Sequence, residues 1–150
     1  MSEYAASTRV SINQTRHEIE YLLDDAGAEA FAFMKEGESA AIAFRLSGRN
    51  YVLKLHLPDR TEFAKTKTGR SRYASEAEKF YQQAIRARWR ALLLLLKAKL
   101  IAVADGVTTV EDEFLAAAML NDGQTVGQWA ASHPTALTGS GPLLLPGGAD

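Results

Sequence analysis

Between Ser75 and Gly106 the chain carries one long helix-period pattern, and this pattern constrains the fold more than any other feature. Ser75-Glu76-Ala77-Glu78 has the S/T-x-x-E form of a capping box and Gly106 supplies a stop, which predicts a helix of roughly 30 residues and ~45 Å. Ile85, Trp89, Leu92, Leu96, Leu100 and Val103 form its apolar stripe, with Arg86, Arg90 and Lys97 on one flank and Arg88 and Lys99 on the other. From Ala91 onward Leu94, Leu95, Ala98 and Ile101 make the helix apolar nearly all round. Such a helix is expected to be the spine of the molecule and, over 80–104, to make a homo-oligomer.

Everything else must pack on that spine. The 150 residues, 47% of them hydrophobic, suit a single domain. Before the spine, Arg9-Val10-Ser11-Ile12 alternates like a short strand, and Thr15-Arg16-His17-Glu18 opens a helix through Ile19, Leu22, Leu23 and Ala26 that Gly27 ends. Three runs of period-two alternation follow, Ala30 to Lys35, Ala40 to Leu46 and Tyr51 to Leu57, separated by Gly-containing turns. Phe31, Phe33, Ile42, Phe44, Leu46, Tyr51, Leu53, Leu55 and Leu57 share one face of this sheet. The other, with Ala41, Ala43, Arg45, Lys54 and His56, is small and polar. The expected fold is α+β: a small antiparallel sheet in β-α-β-β-β order, the long central helix, and one or two short C-terminal helices. One domain spans 1–132, with a mobile basic loop at 59–74, and a Pro/Gly-rich tail covers 133–150. Thr108-Thr109-Val110-Glu111 and Val126 to Ser132 mark the short helices, and Leu143, Leu144 and Leu145 could dock the tail.

Charge is segregated along the chain. Residues 1–59 hold six basic and nine acidic side chains, 60–104 hold eleven and three, and 105–150 hold none and six, although the net charge is only −1. The basic middle suits a phosphate-bearing partner. Lys65, Lys67, Arg70 and Arg72 in the loop and Arg86, Arg88 and Arg90 on the helix are candidate phosphate contacts, with Tyr73, Tyr81 and Trp89 as stacking surfaces. Against this stands intramolecular pairing of the same arginines with the acids of the C-terminal segment or with Glu18, Glu20, Asp24 and Asp25, and snorkelling of long cationic stems along the helix.

Several chemistries lack support. With no cysteine there is no disulfide, thiolate nucleophile or Cys-ligated metal, and the reducing cytoplasm is the expected compartment. Neither a secretory leader nor a membrane span is expected. Thr66-Lys67-Thr68-Gly69-Arg70-Ser71 lacks the G-x-x-x-x-G-K-[ST] of a phosphate loop. His17, His56 and His133 lie in separate elements, so no metal triad and no cofactor is expected. Glu111, Asp112, Glu113 and Asp122 could form a hard-metal or acid/base cluster, but acids in the first turn of a helix are also what its dipole favours, and that is the expected reading. No catalytic constellation emerges, and the chain reads as non-enzymatic.

Arg88-Trp89-Arg90-Ala91-Leu92, Lys97-Ala98-Lys99-Leu100, Val107, Glu113-Phe114-Leu115, Asn121-Asp122-Gly123 and Pro142-Leu143-Leu144-Leu145-Pro146 together resemble a family of small uncharacterised proteins of tailed phages and prophages. The resemblance covers most of the chain and implies a phage context without an activity or catalytic residues. In that context the expected role is binding of a polyanion, foremost DNA, in phage replication or recombination. An oligomeric anti-defence sponge for a nucleotide second messenger is the alternative, and a protein inhibitor docking on a host enzyme is the third reading.

Overall fold

The computed structural model of the protein describes residues 8–139. Ser11 caps the first helix, α1 (Ile12–Asp25), its hydroxyl accepting from the Gln14 amide at 3.2 Å. The strand expected at Arg9–Ile12 is absent and the helix starts a turn earlier than Thr15-x-x-Glu18 implied. The reason is local: Ser11-Ile12-Asn13-Gln14 is also a capping sequence, and starting there places Ile12 and Thr15 on the same face as the buried Ile19 and Leu23.

Three antiparallel strands follow, β1 (Ala30–Glu36), β2 (Ser39–Leu46) and β3 (Arg49–His56), in the order β1-β2-β3. The β2-β3 turn has both central residues left-handed, Ser47 at φ 52° and Gly48 at φ 74°, the pattern whose twist matches that of the flanking strands. The register sets Phe31 opposite Phe44, Phe33 opposite Ile42, and Ile42 opposite Leu53. The apolar residues therefore line one face as expected.

The spine is α2 (Ala74–Ala104), 31 residues long. Tyr73 stands at its N-cap without a side-chain hydrogen bond, so the box expected at Ser75-Glu78 does not form. Glu78 is engaged elsewhere, accepting from Arg60 and from Gln82. At the other end Gly106, at φ 72°, turns the chain so that the Val107 amide reaches the Ala102 carbonyl at 2.9 Å. The last helices are α3 (Val110–Phe114), capped by Thr109 one residue later than expected, and α4 (Val126–Ser132), closed by a Thr125/Gln128 capping box. Between them the Met119 amide donates to the Asn50 carbonyl, extending the edge of β3.

The result is two layers, with α1 and α2 side by side on one face of the sheet. Ile19 and Leu23 from α1, Ile85, Leu92, Leu96 and Leu100 from α2, and Ile42, Phe44 and Tyr51 from the sheet form one core. Fully burying a side chain of this size is worth about 1.5–3 kcal/mol. The 59–74 stretch, expected as a structureless mobile loop, contains a 3₁₀ turn (Arg60–Phe63) and a small hairpin in which Lys65 bridges Ser71. Part of the expected tail, Pro134–Leu137, is a further 3₁₀ turn, and the leucines at 143–145 lie outside the described residues.

Candidate functional site

The start of α1, the far end of the β1-β2 hairpin, the Arg60 turn and the first half of α2 meet around a cleft of about 400 Å³. Its wall is aromatic. Phe33 packs against Trp89 with ring centres 6.1 Å apart, and Tyr81 meets Phe63 in a T-shaped pair at 6.0 Å. Tyr81 and Trp89 are only 5% and 6% exposed, so they offer ring edges and small facets to the cavity.

Three cations surround this apolar wall. Arg16, one turn into α1, holds its guanidinium 4.5 Å from the centre of the Phe33 ring. Arg60 lies over Tyr81 at 4.1 Å, and Lys35 continues the β1 face that carries Phe31 and Phe33. Cations over aromatic faces are held by the ring quadrupole while their N–H edges stay available. Ser11, Asn13 and Gln82 add neutral polar groups, and no Asp or Glu lines the cleft among the described residues. The first amides of the 14-residue α1 contribute the positive end of its dipole.

The Arg60 turn is built by its own sequence. Asp59 accepts from both the amide and the hydroxyl of Thr61 at 2.8 Å, while Glu62 reaches back to the Asp59 amide at 3.2 Å. The Thr61 amide, and then its hydroxyl, hold the Asp59 carboxyl below its ordinary range. Arg60 also pairs with Glu78, which raises the guanidinium pKa further. Glu78 in turn is held low, first by the Gln82 amide and then by Arg60. Arg16 and Lys35 make no ion pair among the described residues.

The ten residues singled out by sequence divide three ways. Tyr81 and Trp89 belong to the cleft. Lys65, Lys67 and Arg70 stand exposed on the hairpin, free of ion pairs among the described residues, and Tyr73 beyond them is 83% exposed. The remaining arginines serve the fold. Arg72 donates to the Phe63 and Lys65 carbonyls at 3.1 and 2.9 Å and covers Phe80, which clamps the hairpin to α2. Arg90 makes two 2.9 Å bonds to Glu18, joining α1 to α2. Arg88 donates to the His56 carbonyl and Arg86 to Gln83.

Arg16, Lys35 and Arg60 were not singled out by sequence. Lys35 carried a readable signal, since Phe31-Phe33-Lys35 puts a cation in line on an otherwise apolar strand face. Arg16 carried none, because its place depends on where α1 begins. Among the described residues no group of three His, Cys, Asp or Glu is placed to hold a metal ion, and no helix is long and apolar enough to cross a membrane. Compared with protein-family models, curated proteins and solved structures, the chain matches none.

Proposed function

We propose that this protein binds, without transforming it, a small ligand that combines phosphate with a planar ring, and that a nucleotide in the cleft is that ligand. One observation carries the reading: three cations converge on an aromatic-walled cavity that no carboxylate lines among the described residues. Guanidinium groups pair with phosphate oxygens in bidentate fashion, and an aromatic wall suits a base. A volume of about 400 Å³ falls within the range of small-ligand pockets. In the phage setting that the sequence resembles, such binding would sequester a nucleotide signal.

Calorimetric titration with purine mononucleotides, the matching nucleosides and inorganic phosphate tests this. The nucleotides should bind saturably and raise the melting temperature, with nucleosides and phosphate each at least about tenfold weaker. Failure of every nucleotide to bind at millimolar concentration would refute the reading.

A second reading has its own support in Lys65, Lys67 and Arg70, which project from the hairpin without ion-pair partners among the described residues. They would contact a DNA backbone rather than a buried ligand. Three neutralised phosphates give a modest salt dependence, with log K falling by about 2.7 per decade of salt.

A further inference from the structure

The solvent side of α2 carries a second feature, independent of the cleft. Arg88, Ala91, Leu95, Ala98, Ala102 and Asp105 follow one another at spacings of three, four, three, four and three. This is the a/d repeat of a helix that pairs with another helix. All but Ala102, which is half-buried, are exposed, and the bordering Ile101 is 50% exposed. The core uses the other side of α2, through Leu92, Leu93, Leu96 and Leu100. The helix thus has two apolar faces, of which the core covers one.

The positions of the uncovered face are spaced symmetrically about the point between Leu95 and Ala98, and its two ends, Arg88 and Asp105, carry opposite charges. Turned end for end against an identical helix, Leu95 faces Ala98, Ala91 faces Ala102, and Arg88 faces Asp105. Each charged end then meets its opposite twice, and every a position meets a d position. Side-by-side pairing in the same direction would set Arg88 on Arg88 and Asp105 on Asp105. We propose that α2 pairs antiparallel with α2 of a second copy of this chain about a two-fold axis between Leu95 and Ala98.

Two further facts fit this occupant. Asp105 sits at the C-cap of α2, where the helix dipole disfavours an anion, and a partner's guanidinium offsets that cost. Arg88 uses one N–H on the His56 carbonyl and retains others for the partner. Alanine at 91, 98 and 102 permits close approach of the axes around the Leu95 side chains.

Sedimentation velocity of the full chain across micromolar concentrations should show a monomer–dimer equilibrium. Arg88→Glu and Asp105→Arg should each weaken it by at least about tenfold, and the double variant should restore it. Both positions are exposed, and circular dichroism is the check that each variant is folded. Because the chain has no cysteine, Ala91→Cys mixed with Ala102→Cys should oxidise to a cross-linked heterodimer while Ala91→Cys alone should not. A monomeric wild type, a double variant no better than the single ones, or a cross-linked Ala91→Cys homodimer would each overturn the proposal.

Discussion

Arg60 stands between two partners, its guanidinium carbon 4.1 Å from the centre of the Tyr81 ring and one of its nitrogens bonded to Glu78. The ring fixes the plane of the cation at the cleft, and Glu78 competes with any incoming anion for its N–H groups. Removing the cation and removing its carboxylate partner should therefore move ligand affinity in opposite directions. Arg60→Gln should lower nucleotide affinity about tenfold, the worth of one charge-assisted contact, whereas Glu78→Gln should raise it by freeing the guanidinium. Calorimetry on the two variants decides the matter, and a fall in affinity for Glu78→Gln would show that Glu78 orients Arg60 instead of competing for it.

A different outcome is expected for Arg90, whose Nη1 bonds both carboxylate oxygens of Glu18 and ties α1 to α2 at a site where Arg90 is largely buried. Hydrogen bonds between charged groups contribute more than neutral ones, and truncation leaves the carboxylate without its partner. Arg90→Met should cost about 1–3 kcal/mol in urea unfolding while leaving nucleotide affinity unchanged. A loss of affinity with undiminished stability would return Arg90 to the binding surface that its charge alone suggests.

These contrasts mark what the sequence could and could not disclose. Strand faces and helix stops were legible because their signals are local: period-two alternation set Phe31, Phe33 and Ile42 on one face, and Gly27 and Gly106 ended their helices. Helix starts were less so, since Ser11 and Thr15 both head capping sequences and only packing chooses between them. The charge count located a basic segment and named Glu18 among several possible partners for its arginines, but it did not assign Glu18 to Arg90. Arg90 and Glu18 lie 72 residues apart, and no periodicity brings them together. Arg16, Lys35 and Arg60 come from three elements, so their convergence follows from tertiary packing alone.

Tyr51 offers a test of the core. Its ring stacks on Phe44 at 5.4 Å and meets Phe114 at 5.8 Å, yet its hydroxyl is buried with no hydrogen-bond partner among the described residues. Burial raises its pKa, with the Glu111 charge adding to the effect. A hydroxyl desolvated without compensation costs free energy, so Tyr51→Phe should keep the packing and stabilise the fold by up to about 1 kcal/mol. A destabilised variant in thermal or urea unfolding would mean that the hydroxyl is satisfied in solution.

Acid should lower the stability of the protein through its paired carboxylates. Glu113 accepts from Lys99 at 3.1 Å, and that bond, then one from Thr108, holds its carboxyl below its ordinary value. Glu78, Asp59 and Asp122 are lowered as well, the last mainly by the Gln124 side-chain amide. Each group binds protons more readily in the unfolded chain than in the folded one. Their stabilisation is therefore fully present above the ordinary carboxylate pKa of about 4 and is lost as pH falls through the lower folded values. The melting temperature should hold level from neutral pH to about 5 and drop below about 4. Lys99→Met removes the largest cause of the Glu113 shift, so it should lower stability at neutral pH and make the acid decline shallower. An unchanged slope in that variant would assign the decline to the other three carboxylates.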